Sequence, residues 1–221
     1  MRKRIRLSVW AAAGVAVAGA LGFTLAALAI QPGSFPALLG NFAREPLLIL
    51  LNFLPALLLT VFLWLLCGNP FYAASGAGLL VCFLSYVNLI KTDCRNDPLV
   101  PADLTLLREA LTATQEYALD LHFPVLAALL LAVLMVAAGG LFLRCPRLKL
   151  PFRLVGAAAA ALAFVLSVSC IYTSDALYAR LLPEVDRANV PLTYESCGFP
   201  YCFLANYGRY TVQKPVDYFP E

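Results

Sequence analysis

Residues 88–120 read NLIKTDCRNDPLVPADLTLLREALTATQEYALD. This stretch holds nine charged side chains, in a chain that has 16 Lys and Arg and 13 Asp and Glu in all. The apolar runs on either side of it, 71–90 and 123–143, contain no charged residue. A polar island between two such runs belongs at a membrane surface, because lipid hydrocarbon has nothing to solvate it. That reading decides the fold class, and the rest of the chain is consistent with it.

The 221 residues are 62% hydrophobic and 13% charged, with a mean hydropathy of +0.80. A soluble domain is about half apolar and about a quarter charged. The composition therefore indicates an integral membrane protein. Five runs are long enough to cross a hydrocarbon core of about 30 Å as helices of about 20 residues: 8–30, 46–68, 71–90, 123–143 and 154–173. None contains Asp, Glu, Lys, Arg or His. The expected architecture is an all-α polytopic membrane protein. It has five transmembrane helices over 1–173, with an outer loop at 91–122 that includes an interfacial helix at about 103–120, and then an extracytoplasmic linker at 174–221. The opening MRKRIR and the small residues Ala27 and Ala29 resemble a secretory signal. The apolar run exceeds the about 7–15 residues of a signal core, so it reads as an uncleaved span.

Charge placement sets the expected orientation. Arg2, Lys3, Arg4 and Arg6 precede the first run, and Arg144, Arg147, Lys149 and Arg153 surround the link between the fourth and fifth. Neither cluster contains an acid. The positive-inside rule makes both cytoplasmic, which puts the N-terminus inside and the C-terminus outside. All 13 acids then fall outside: Glu45, six in the island and six after Thr173. The basic clusters suit orientation and anionic lipid. No soluble basic domain with interleaved aromatics exists to bind nucleic acid.

The runs lack the ionisable groups that ion-coupled transport needs, which argues against a small transporter or flippase component. Asn52 and Ser75 can bond across helices. Gly14, Ala18 and Gly22 are spaced for close packing, as are Ala157 and Ala161, and Pro55 can kink the second span. Within the island, Asp103 suits a helix N-cap. Glu109 and Glu116 suit a solvated helix face, and His122 an interfacial site. The tail is rich in Tyr and Phe, as membrane interfaces are. Cys94, Cys197 and Cys202 fall on the outer side, where a Cys197–Cys202 or Cys94–tail disulfide is one option and free thiols are the other.

The pattern Asn88-x-x-Lys91-x-x-x-Arg95-x-Asp97-Pro98-Leu99-x-Pro101-x-Asp103-Leu104-x-Leu106-Leu107-x-Glu109-Ala110 resembles the outer loop of the lipoteichoic acid synthase family of phosphoglycerol transferases. Gly198-Phe199-x-Tyr201-x-Phe203-Leu204, then Lys214-Pro215-x-x-Tyr218, is similar to the segment that joins that family's fifth span to its extracytoplasmic domain. The resemblance implies a bacterial cell-membrane protein whose five spans anchor and position a sulfatase-like domain. That domain uses a Thr nucleophile and a divalent metal, usually manganese, and takes phosphoglycerol from phosphatidylglycerol. The present sequence ends where such a domain is expected to begin, so no catalytic residue and no metal ligand is carried over. Lys91 and Arg95 stand where the third span meets the outer headgroups, and the functional reading makes them contacts for the phosphate of phosphatidylglycerol or of a polymer. Arg suits bidentate recognition, and Lys acts as a point charge. The competing reading is snorkelling with local pairing to Asp93 and Asp97. Asn88, Asp97, Pro98, Pro101, Asp103 and Glu109 form the structural loop motif. A non-catalytic structural or regulatory membrane protein is the alternative function.

Overall fold

The computed structural model describes residues 5–106, 122–146, 149–181 and 190–207. The described residues are mainly α-helical, and among them five helices are long and apolar enough to cross a membrane. They are α1 (Val9–Ile30), α3 (Leu47–Cys67), α4 (Pro70–Arg95), α5 (Phe123–Ala137, continued by a π-helical turn at Ala138–Phe142) and α6 (Leu150–Ser167, continued by a π-helical turn at Val168–Tyr172). Among the described residues there are four shorter α-helices: α2 (Phe35–Arg44), α7 (Asp175–Leu181), α8 (Val190–Cys197) and α9 (Phe199–Ala205).

Local chemistry sets the helix ends. Ser8 caps α1 by accepting from the Ala11 amide at 3.1 Å. Gly68, in the left-handed region at φ 76°, ends α3, and the Asn69 side chain accepts from the Phe71 amide at 3.0 Å to start α4. This makes a tight hairpin between the second and third runs. Arg153 of α6 donates to the free carbonyls of Leu65 and Leu66 at the end of α3, where a cation also suits the helix dipole.

The third span is longer than its apolar run. Helix α4 continues through Lys91 to Arg95 and ends at Asn96, whose φ of 51° is the one positive value outside glycine among the described residues. Lys91 and Arg95 therefore sit on the last two turns of a helix and not in a loop.

Helices α1, α3 and α4 form the centre. Helix α5 packs on α1 and α4, and α6 packs on α3. The outer two helices expose long aliphatic faces, such as Leu130, Val133 and Leu134 on α5 and Val155, Leu162 and Val165 on α6. Lipid tails are as apolar as these side chains, so close fit must hold the centre together. At Gly78 an added Cβ would overlap the Phe23 ring, so α1 and α4 cannot approach this closely with a larger residue. The stripe at Gly14, Ala18 and Gly22 is not the packing face of α1, because Gly14 and Ala18 are exposed. Ala12, Ala16, Gly19, Ala20 and Phe23 face the bundle instead.

The two ends of the bundle differ. One carries the starts of α1, α4 and α6 and is basic. There Ile5–Arg6 (β1) and Leu143–Arg144 (β2) form a two-residue parallel pairing that joins the two basic clusters. The other end is capped by α2, α7, α8 and α9. Amphipathic α2, which lies between the first two apolar runs, buries Leu38 and Phe42 there.

Two outer-side expectations change. Pro101–Leu106 is a short 3-10 turn, and the remainder of the expected interfacial helix, with Glu109 and Glu116, lies outside the described residues. Residues 190–207, expected as part of a surface linker, are instead helices α8 and α9, with Tyr194, Cys197, Phe199, Tyr201, Cys202 and Ala205 buried. A short helix, α7, follows the fifth span, and residues 208–221 lie outside the described residues.

Pro55 sits inside α3 without ending it. Proline has no N–H to give the carbonyl four residues back, which is that of Leu51. The Tyr172 hydroxyl, from the end of the fifth span, donates to the Leu51 oxygen at 2.6 Å and replaces the missing bond. The expected consequence is coupling. Tyr172→Phe should cost about 1–3 kcal/mol in the wild type, because it orphans a buried carbonyl. In a Pro55→Ala background, where the backbone bond is restored, it should cost clearly less. Thermal unfolding of the four proteins in one detergent reads this double-mutant cycle, and additive losses would rule the coupling out.

Candidate functional site

The polar island begins where α4 ends, and Lys91 organises it. Its ammonium donates to Asp97 Oδ2 at 2.6 Å, Asp103 Oδ2 at 2.8 Å and the Pro98 carbonyl at 3.0 Å. An ammonium has three protons, so its donors are fully used. The partners are Asp97 and Asp103, not Asp93. Lys91 therefore has no donor left for a phosphate and acts as the clasp that folds 96–103 back onto α4. Arg95, one turn further on, is exposed at the helix end. Only this cation of the two suggested phosphate contacts is open to a ligand.

Asp103 does not stand at an N-cap. Its carboxylate reaches back to the Val100 amide at 2.8 Å, while its own amide donates to the Val100 carbonyl at 3.0 Å. That is the geometry of an acid at the third position of a helical turn, with Val100 as the cap and Pro101 first in the turn. Asn88 is buried on α4, and its Oδ1 accepts from the Leu99 amide at 2.8 Å. Pro98 and Leu99 are buried with it. His122 is exposed just before α5. The structure thus brings Asn88, Lys91, Asp97, Pro98, Pro101 and Asp103 together as one loop lock. Glu109 lies outside the described residues.

That lock is half of a larger assembly. The Tyr194 hydroxyl of α8 donates to the Leu99 carbonyl at 3.0 Å and accepts from Asn206 Nδ2 at 3.1 Å. Deeper in, the Asn52 carboxamide of α3 makes three bonds. Its Nδ2 donates to the Leu48 and Cys197 carbonyls, both at 2.8 Å, and its Oδ1 accepts from the Tyr201 amide at 3.1 Å. Gln31, at the end of α1, accepts from the Phe199 amide at 2.9 Å and donates to the Glu195 carbonyl at 3.4 Å. Asn41 of α2 donates to the Ser196 carbonyl at 3.2 Å. These amides satisfy the backbone of the α8–α9 turn, which a buried turn cannot leave unpaired.

Gly198 is the hinge of that turn. Its φ is 91°, and a Cβ there would lie 2.6 Å from Asn52 Oδ1 and 2.7 Å from Leu28 Cδ2. Both the backbone conformation and the space require glycine. Around it Tyr172 meets Tyr201 with ring centroids 6.0 Å apart, and Phe199 meets Phe203 at 5.3 Å. Cys197 and Cys202 are buried free thiols, and Cys94 is an exposed one. Burial, and then hydrogen bonding to Cys197, push the Cys202 thiol well above its ordinary range, so it stays protonated at neutral pH.

The Lys91 loop is visible in the sequence because its charges stand out in an apolar chain. The role of the α8–α9 turn in the core is not. The signal there was the near-continuous run of Tyr, Phe and Cys from 194 to 203, joined to the buried-amide candidate Asn52. Among the described residues, no three His, Cys, Asp or Glu side chains lie together in a way that could hold a metal ion. The arrangement fastens backbone to backbone through side-chain amides and hydroxyls. The chain matches no family model, no curated protein and no solved structure.

Lys91 and Arg95 should separate cleanly on substitution. Lys91→Gln is expected to lower stability by about 1–3 kcal/mol, discounted toward the lower figure because Asp97 is largely exposed, and to speed proteolysis between 96 and 103. Arg95→Gln should change neither. Detergent melts with limited proteolysis measure both, and equal effects from the two variants would contradict the clasp.

Proposed function

We propose that this chain is the anchoring and positioning part of a lipoteichoic acid synthase-like system in a bacterial cell membrane. Its N-terminus is cytoplasmic and its C-terminal segment extracytoplasmic. The five spans fix it in the bilayer. The capped end holds downstream polypeptide at a set height above the lipid, where a sulfatase-like phosphoglycerol transferase unit would draw on phosphatidylglycerol.

The observation that carries this reading is the α8–α9 turn bound into the bundle by Asn52, Gln31 and Asn41. The segment at 195–201 is thereby fastened to the bundle through its backbone. Such a socket suits a domain that must meet lipid headgroups in one orientation, because pre-set geometry spares the entropy of finding it. Arg95, exposed where α4 ends, is the cation placed to meet a headgroup phosphate at that surface. The manganese of the family's transferase domain would be held by residues outside this socket.

Two measurements test the proposal. A periplasmic-type reporter such as alkaline phosphatase, fused after Tyr207, should be active, and one fused after Arg144 should be silent. The reverse pattern would overturn the orientation. In a bacterium that carries the gene, deletion should lower the phosphoglycerol content of envelope polymer, assayed as glycerol phosphate released on hydrolysis. Wild type should restore it and Asn52→Leu only in part. Unchanged polymer on deletion would favour a structural or regulatory membrane protein instead.

A further inference from the structure

The basic end contains a cavity of about 840 Å³ bounded by Arg6, Cys67, Asn69, Tyr72, Arg144 and Cys145. The pairing of β1 with β2 sets Arg6 directly opposite Arg144. Like charges placed opposite one another on a ladder repel. Among the described residues no acid lies at this end to offset them. Every Asp and Glu described, namely Glu45, Asp93, Asp97, Asp103, Asp175 and Glu195, belongs to segments at the capped end. Burial first, and the neighbouring Cys67 second, raise the Cys145 thiol above its ordinary range, so it too adds no negative charge at neutral pH.

Other features at this end favour an anion. Asn69 caps α4 and Pro70 opens its first turn, where the helix dipole is positive. The Tyr72 side chain lines the same wall and adds a hydroxyl donor. Across from it α5 leaves α-helical form for the π turn at Ala138–Phe142, a distortion common at functional sites. Two glycines let that turn close on α4. A Cβ at Gly139 would lie 2.7 Å from Phe71 Cβ, and one at Gly140 would lie 2.9 Å from the Tyr72 hydroxyl. Trp10 and Phe152, respectively 87% and 69% exposed, stand on α1 and α6 near this end. Exposed aromatics of this kind mark the headgroup level of a bilayer.

We infer that this cavity binds a phosphate-bearing anion between Arg6 and Arg144, with Tyr72 as a further donor. Phosphate matches two guanidinium groups in charge and in its paired oxygens. The same chemistry is offered by an anionic phospholipid headgroup and by a soluble organic phosphate. The inference concerns the end opposite the proposed socket and stands or falls apart from it.

The native thiols Cys67 and Cys145 line the cavity and report on it, while Cys94 at the capped end serves as control. The full chain is reconstituted in phosphatidylcholine vesicles with or without phosphatidylglycerol, and the label is membrane-permeant N-ethylmaleimide, which reaches thiols at both ends. Maleimide labelling is followed peptide by peptide by mass spectrometry. Phosphatidylglycerol should slow labelling at Cys67 and Cys145 severalfold relative to Cys94. Glycerol phosphate added to pure phosphatidylcholine vesicles forms the soluble arm. Protection there without the anionic lipid would support the site and assign it to a soluble ligand.

Arg6→Gln with Arg144→Gln should abolish protection in either arm. Because the variant feels the same membrane surface pH, the difference from wild type isolates the site. Should that double variant fail to fold, Arg6→Lys with Arg144→Lys keeps the charge and should show weakened protection. Labelling rates that neither anion changes, or that change equally in wild type and variants, would overturn the inference.

Discussion

The carboxamide of Asn52 is the constraint on which the capped end depends. It is buried in the second turn of an apolar helix, where an unpaired amide is costly, and every partner it uses matters. One bond closes on its own helix at Leu48, and two cross to Cys197 and Tyr201 on either side of Gly198. No apolar side chain of that size could serve all three groups. The α8–α9 turn fits against α3 because Asn52 supplies both a donor and an acceptor at the point where Gly198 leaves room for it.

Different forces hold the two halves of the molecule. Between the spans burial brings little, since lipid is as apolar as the side chains, and small-residue contacts such as Gly78 against Phe23 set the helix spacing. At the capped end water competes for backbone groups, so aromatic burial and side-chain hydrogen bonds act together. Tyr172 links the two regimes. It ends the fifth span, repairs the carbonyl that Pro55 frees in the second, and packs against Tyr201 in the cap. The basic end has no such cap among the described residues. Its strand pairing brings together two exposed arginines that line the cavity there.

Much of the architecture was legible in the sequence. Spans of about 20 apolar residues have few alternatives, and tight signals such as Gly68–Asn69–Pro70 end helices in predictable ways. The island announced itself by charge, and Asn52 by being an amide in lipid. What stayed hidden were non-local pairings. That Lys91 would choose Asp97 and Asp103 over Asp93 depends on the chain turning back at Asn96. That the tail would enter the core depends on Gln31, Asn41 and Asn52, which stand on or beside three different helices far from it in sequence. Gly14, Ala18 and Gly22 had the right spacing, yet Gly14 and Ala18 face outward, because spacing alone does not tell which side of a helix is buried.

The inward placement of the α8–α9 turn is tested most directly by hydrogen exchange at single amides in detergent-solubilised protein. The Phe199 and Tyr201 amides, bonded to Gln31 and Asn52, are expected to exchange as slowly as those in the middle of α3. In Asn52→Leu the Tyr201 amide should speed up by orders of magnitude while α3 stays protected. Fast exchange at both amides in the wild type, at the rate of an exposed loop, would contradict a socket built into the bundle.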